Sequence, residues 1–283
     1  MLRIALQSKG RLNEKSIELL REAGISIEES SRKLLSRSSN FPMEVLYLRD
    51  DDIPQTVSCG IADIGIVGYN EVMERAYPVD VLKHLEFGKC RLSLAIPKYM
   101  EYDGPEFFNG KRVATSYPVI LKSYFDRKGI SCEIREIAGS VEISPSIGLA
   151  DGIFDIVSSG GTLVQNGLAE VETVMESDAV LIGRPGLDEE KMQTVRILLS
   201  RFTSVLRSRG KKYMLVNVPN DKIDEALKII PSMKSPTLLP LADKGWSAIH
   251  AVVDESEVWD KADRLKKIGA EDILVLSMEK LII

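Results

Sequence analysis

The alternation of short apolar runs with longer helical periods constrains this chain more than any other feature of its sequence. Such strands and helices cannot bury themselves alone, so they pack as βα units of an α/β fold, on sheets expected to be mostly parallel. The run 2–6 reads as the first strand, Asn13 as the cap of the helix after it, and 44–48 and 61–67 as further strands. A second series starts near Arg91, with strands expected at 92–96, 112–115 and 153–157. Between them Ile120, Tyr124 and Phe125 give a helix its apolar face, Arg127 and Lys128 fill its last turn, and Gly129 ends it. Met192, Val195, Leu199, Phe202 and Leu206 recur at steps of three and four, which marks a longer amphipathic helix.

The polar stretch 207–212 then reads as a linker into a βαββαβ module. Its strands are expected at 213–218, 237–241, 246–253 and 273–276, with helices at 220–230 and around Val258, Ala262 and Leu265. A length of 283 residues with 44% hydrophobic content supports more than one core.

Charge and cysteine usage narrow the function. With 37 Lys+Arg against 42 Asp+Glu the net charge is −5, which argues against general binding of nucleic acid and requires any anion to be held by a local site. Cys59, Cys90 and Cys132 are far apart and odd in number, neither a zinc pattern nor a disulfide framework. No run approaches the ~18 apolar residues of a membrane span, and the apolar start 1–6 is too short for a leader, so a cytoplasmic protein without a membrane partner is expected. His84 and His250 have no partners in sequence that would make a metal site or a nucleophilic triad.

The stretch Asp155-Ile156-Val157-Ser158-Ser159-Gly160-Gly161-Thr162 carries the most chemistry. A strand ends there in small and hydroxyl residues whose backbone N–H groups can cradle a phosphate, with Ser158, Ser159 and Thr162 adding donors and a helix expected from about 163. Asp155 is placed to accept from ribose hydroxyls.

The segment Glu142-Ile143-Ser144-Pro145-Ser146-Ile147-Gly148-Leu149-Ala150-Asp151-Gly152-Ile153-Phe154-Asp155, with that loop after it, resembles the signature of ATP phosphoribosyltransferases. Ser8-Lys9-Gly10-Arg11-Leu12, Arg49-Asp50-Asp51-Asp52-Ile53-Pro54, Cys90-Arg91-Leu92-Ser93-Leu94-Ala95, Ala114-Thr115-Ser116-Tyr117-Pro118 and Ser235-Pro236-Thr237-Leu238 are similar to further blocks of that family. The last block points to its long form. Ser159 departs from the threonine frequent in the family, losing a methyl and keeping the hydroxyl.

The resemblance implies two lobes of periplasmic-binding-protein type, 1–90 with 183–210 and 91–182, followed by a ferredoxin-like regulatory domain at 211–283. It implies an enzyme joining ATP to 5-phosphoribosyl 1-pyrophosphate in histidine biosynthesis, with the site between the lobes. Asp155, Arg49 and Arg11 are then the expected catalytic residues, and 155 with 158–162 the phosphoribosyl pyrophosphate site. Lys9, Arg11, Arg49, Asp50, Arg91, Tyr117 and Glu142 are expected to face ATP or the departing pyrophosphate. Mg2+ would be held mainly by the substrate pyrophosphate, with Asp155 or Glu142 assisting. Histidine is the expected inhibitor, at Asn217, Thr237, Leu238 and Ala270, in a homo-oligomer of two to six chains. Capping of the helix after residue 52 falls to Asp52. Two other readings remain beside this one: a two-lobed binding protein without chemistry, and a phosphoribosyltransferase for another base.

Overall fold

Strand β1 (Leu2–Gln7) buries Leu2, Ile4, Ala5 and Leu6, more than a half-exposed strand would, because it lies inside a sheet covered on both faces. The computed structural model describes residues 1–28 and 34–282. After β1 come α1 (Arg11–Glu22), β2 (Leu35–Arg37), β3 (Met43–Leu48), α2 (Ile53–Ser58), β4 (Ile64–Gly68), α3 (Tyr69–Arg75) and β5 (Asp80–His84). A second sheet follows with β6 (Cys90–Pro97), β7 (Arg112–Thr115), α4 (Pro118–Lys128), β8 (Glu133–Glu136), β9 (Gly152–Val157), α5 (Gly161–Gln165) and β10 (Leu168–Ser177). At Asp178 the chain crosses back, adds β11 (Ala179–Gly183) to the first sheet and enters α6 (Glu189–Ser208).

The strand orders are β2-β3-β1-β4-β11-β5 and β10-β6-β9-β7-β8. This is the expected two-lobed α/β architecture, but the chain returns to the first lobe at Asp178 and not at 183, because β11 pairs with β4 and β5. Both sheets are mixed, however, and not mostly parallel: β1 runs parallel to β3 and β4, and β7 to β8 and β9, while β2 and β11 in the first sheet and β6 in the second run against them. The strands that arrive from the other lobe, β6 and β11, make most of the difference, since each enters its new sheet from the opposite end, and β2 folds back on β3.

In the second lobe Phe108, Phe125 and Phe154 are almost fully buried with Leu92, Leu94 and Val113. Burying each ring removes apolar surface worth about 1.5–3 kcal/mol. Gly129 ends α4 in the left-handed conformation, φ 70°, as its position predicts.

Two caps differ from expectation. Helix α1 already starts at Arg11, so Asn13 sits inside its first turn, where Nδ2 donates to Gln7 O at 2.5 Å and ties the helix back to β1. Asp52 does precede α2, but a 3-10 turn over Asp50–Asp52 has already given it helical angles, and its side chain makes no cap bond. Thr56 Oγ1 instead donates to its carbonyl at 2.8 Å.

The chain divides into two compact units, Met1–Ile197 and Leu198–Ile283. In the second unit β12 (Lys211–Pro219), α7 (Ile223–Ile229), β13 (Thr237–Pro240), β14 (Trp246–Asp254), α8 (Val258–Lys267) and β15 (Glu271–Ser277) form an antiparallel sheet of order β13-β14-β12-β15. Met214, Val216, Val218, Ile249 and Val253 alternate onto the face covered by both helices, which is the ferredoxin-like module read from the sequence. The polar stretch 207–212 is structured and is not a linker. Helix α6 runs to Ser208, and β12 starts at Lys211, whose Nζ lies 2.6 Å from Asp254 Oδ1. No described helix is long and apolar enough to cross a membrane.

Candidate active site

Parallel pairing sends the loops after neighbouring strands off one edge of a sheet, where α/β proteins take ligands. In the first lobe Gln7 lies opposite Leu48, and Ser8 N–H donates to Leu48 O at 2.7 Å. The loop carrying Lys9 and Arg11 therefore runs beside the one carrying Arg49 and Asp50. Lys9, Arg11 and Arg49 are exposed. Arg49 Nε lies 3.3 Å from Asp51 Oδ1, and among the described residues no carboxylate pairs with Lys9 or Arg11. The third parallel strand, β4, delivers Asn70 and Glu71 at the same edge, both buried.

In the second lobe β7 and β9 play the same part, with Thr115 opposite Phe154. Tyr117 follows one strand and Asp155 lies near the end of the other. Strand alternation puts Ile153, Asp155 and Val157 on one face, where Ile153 and Val157 are buried with Val141, Ala150 and Leu163. Burial there, with the nearby Glu142 carboxylate as a smaller cause, pushes the Asp155 carboxyl up to about 6, although its Oδ1 accepts the Ile156 N–H at 2.8 Å.

After Val157 the exposed Ser158 and Ser159 lead to Gly160, which holds φ 79°. The one-turn helix α5 begins at Gly161, earlier than expected, so its first-turn N–H groups lack intrahelical acceptors and face the loop. Asn166 pins the turn, donating to Thr162 O from its backbone at 3.2 Å and from Nδ2 at 2.9 Å.

Arg91 is engaged within the protein. Its Nε and Nη2 both lie 2.5 Å from the two carboxylate oxygens of Glu170, and its Nη1 donates to Ser158 O at 3.3 Å. The pair lowers the Glu170 carboxyl below the ordinary carboxylate range through these hydrogen bonds. Arg91 thus braces the first residue of the loop.

The two strand-end edges meet at Tyr117. Its hydroxyl accepts from Asn70 Nδ2 at 3.3 Å, and Asn70 Nδ2 also donates to Glu71 Oε1 at 3.0 Å. Burial, and then the charges of Glu71 and Asp155, hold the phenol well above its usual range. Burial raises Glu71 as well, and Asp50 is the next cause. Asp50, Glu71, Tyr117, Asp155 and Glu142 therefore form one electrostatically connected line across both lobes.

Sequence reading missed Asn70, Glu71, Glu74 and Glu170. The signal for the first two was available: they directly follow a parallel strand, as Arg49 does. The strand read at 61–67 begins with a structural tie. Asp63 Oδ2 accepts Arg3 N–H, and its Oδ1 lies 2.9 Å from Lys191 Nζ, each at the end remote from the strand-end loops. His84 pairs with Asp178 at 2.7 Å and His250 with Tyr213, as packing residues do.

The four residues expected to hold histidine fall into two groups. Asn217 donates to Asp272 at 3.1 Å and pairs with Glu271, next to the buried Ala270. Thr237 and Leu238 lie on the opposite edge strand, exposed, with β14 intervening. That separates the groups by about two strand spacings, or ~10 Å.

Residues 49–204 match the family described as HisG, ATP phosphoribosyltransferase, and residues 208–280 match its C-terminal domain. The ATP phosphoribosyltransferases of Bacteroides thetaiotaomicron and Phocaeicola vulgatus are 55% and 56% identical over 283 residues, covering the whole of each chain. Among solved structures, the ATP phosphoribosyl transferase (HisG:HisZ) complex from Thermotoga maritima matches with a TM-score of 0.64 and 28% identity, over 73% of this chain and 99% of that one. Tv2483 bound to L-arginine matches at 12% identity and a TM-score of 0.50, over 71% of this chain and 83% of that one, and informs the fold alone.

Proposed function

We propose how the reaction is divided among the residues of a chain that belongs to the ATP phosphoribosyltransferase family. That reaction condenses ATP with 5-phosphoribosyl 1-pyrophosphate to N1-(5-phosphoribosyl)-ATP and pyrophosphate, the first step of histidine biosynthesis, and makes the chain a pentosyltransferase. Adenine N1 bonds to the anomeric carbon while the bond to pyrophosphate breaks, and pyrophosphate leaves with the electron pair.

The observation that carries the assignment is Asp155, a carboxylate desolvated at the end of β9 directly before a loop of free N–H and hydroxyl donors. The loop 158–162 takes the 5′-phosphate, and Asp155 accepts from the ribose hydroxyls. Lys9, Arg11 and Arg49, exposed at the first-lobe edge, meet the phosphates of ATP and the charge growing on pyrophosphate. Asp50, Tyr117 and Glu142 border the nucleotide, and Arg91 acts mainly by bracing the loop. Catalysis rests on alignment of the two substrates and on stabilising the leaving charge.

Burial and the neighbouring Glu142 charge both disfavour the ionised form of Asp155, and a cation would offset them, which suits this pair to Mg2+. Among the described residues no group of three or more acidic, His or Cys side chains could hold a metal, so the pyrophosphate oxygens would complete its shell. Bound there, the ion supplies charge neutralisation of the leaving group. Calorimetry tests the assignment: Asp155→Asn should lose affinity for phosphoribosyl pyrophosphate and keep its affinity for ATP. Equal affinity for the first substrate in the variant sinks the ribose role.

The second unit is the proposed histidine-responsive part, in a cytoplasmic homo-oligomer. Its two groups of polar contacts lie two strands apart, and an assembly that joins the β15 edge beside Asn217 of one copy to the Thr237 edge of another would bring them together. Thr237→Ala should then weaken histidine inhibition while catalysis without histidine is unchanged, with a coupling of ~1–3 kcal/mol at stake. Failure of histidine either to bind the intact protein or to slow it removes this role and leaves the catalytic one standing.

A further inference from the structure

Helix α3 belongs to the first lobe, yet its buried polar side chains are spent on the second. Asn70 N–H donates to Ser177 Oγ at 3.0 Å, and Ser177 Oγ donates back to Asn70 Oδ1 at 2.9 Å. Asn70 Nδ2 also donates to the Tyr117 hydroxyl, at 3.3 Å. Glu74, one turn further on and only 7% exposed, accepts the N–H of Val119 at Oε1 and of Ile120 at Oε2, each at 3.0 Å.

Val119 and Ile120 lie in the first turn of α4, where N–H groups have no partner within the helix and the helix end carries partial positive charge. Tyr117 occupies the N-cap position and makes no side-chain cap bond. The cap of α4 thus comes from the other lobe. Ser177 pairs with Cys90 where the chain crosses between the lobes twice, side by side, so its bonds fix little that the two covalent crossings do not. The partners of Glu74 lie on a different segment, away from the crossings, and its two bonds, beside the single long one from Asn70 to Tyr117, form the main part of a second line of attachment. Two lines define an angle where one would leave a swivel.

We propose that Glu74 is a positioning residue for the transfer: by capping α4 it sets the angle at which the cations of the first lobe face the phosphoribosyl loop of the second. The inference rests on the division of substrates between the lobes proposed above. Each lobe keeps its own half of the site without Glu74, so the reaction suffers more than the binding of either substrate alone.

The test compares Glu74→Ala and Glu74→Gln in the full chain. Folded Glu74→Ala should lose between about tenfold and a hundredfold in kcat at saturating substrates, the scale of a misalignment near 1 Å. Its calorimetric Kd for phosphoribosyl pyrophosphate alone should stay within about twofold. Glu74→Gln, which keeps one acceptor oxygen and no charge, should fall between that variant and the wild type. A kcat close to wild type in folded Glu74→Ala overturns the proposal, and so does a Kd that weakens as much as kcat falls, because the residue would then act on the subsite itself. Should Glu74→Ala not fold, Glu74→Gln takes the same test, and an unchanged kcat is equally fatal. Normal binding of phosphoribosyl pyrophosphate to a loop variant such as Gly160→Val would instead overturn the loop assignment, an outcome that the Glu74 variants do not imitate.

Discussion

On the second-lobe wall Arg91 is gripped by both oxygens of Glu170, Asn166 pins the turn of α5, and Asp155 is desolvated among packed side chains. On the first-lobe wall Lys9 and Arg11 are exposed, and Arg49, with a side chain 79% exposed, pairs among the described residues with Asp51. One wall carries its electrostatic cost before any ligand arrives. The other is a set of mobile charges on long stems that must be ordered by the ligand, at the expense of side-chain entropy. Changes in the second-lobe wall should therefore reach stability and function together, and changes in the first-lobe wall should reach function alone.

The strongest challenge to that contrast is Gly160→Val. Gly160 holds φ 79°, so a β-branched residue is strained there, whereas Gly161 has an ordinary φ and an added Cβ would meet only Ser159 Oγ at 3.7 Å. Gly160→Val should lower kcat/KM for phosphoribosyl pyrophosphate by roughly a hundredfold, a strain near the upper end of ~1–3 kcal/mol, and Gly161→Val by less. Equal losses from both would mean that bulk near the phosphate matters and preformed geometry does not.

Arg49→Ala and Arg11→Ala probe the unfinished wall. Each should cost about tenfold in kcat/KM while the melting temperature stays within about 2 °C of wild type. A large fall in melting temperature with normal kinetics would reverse the contrast, making these arginines structural.

The smallest effect is a pH signature of Asp155. Its folded carboxyl titrates near 6 against an ordinary value of 3.8, so the folded state binds the proton more tightly than the unfolded chain does. The stabilisation is complete below about pH 3.8 and is lost as pH rises through about 6. Asp155→Asn, free of the buried charge, should melt a few degrees above wild type near pH 7.5, and the gap should close toward pH 4. In the wild type kcat/KM for phosphoribosyl pyrophosphate should rise as pH passes about 6. A melting difference that ignores pH would show that Asp155 is not desolvated.

Much of this was legible in the sequence because it follows local rules. The run 112–115 is a strand because Val113 and Ala114 are apolar beside a turn, and Gly129 stops its helix for reasons of its own backbone. The ferredoxin-like module is spelled out by alternation along β12 and β14. The loop 158–162 declares itself through small residues alone. Glu74 and Glu170 did not, because a glutamate on a helix or an edge strand is by itself a solvated charge. Only the folded neighbours, a helix end from the other lobe and Arg91, give them work. Strands β10 and β11 were hidden for a related reason: Glu170, Glu172 and Glu176 interrupt the apolar pattern of the first, and β11 is defined by partners far back in the chain.

Strand β11 lies between β4 and β5, hydrogen-bonded to both. During synthesis the amino-terminal lobe therefore emerges first and closes last, since β4 and β5 cannot join one sheet until the chain has been translated through Gly183. The lobe inserted between them, β6 to β10, is continuous and can condense in the meantime. Until then the nascent chain shows the bare, apolar edge of Ile64–Gly68, the kind of surface that pairs with other chains. Slow elongation between 90 and 183 would lengthen that exposure, so the late-arriving strand makes the yield of soluble protein depend on the pace of translation.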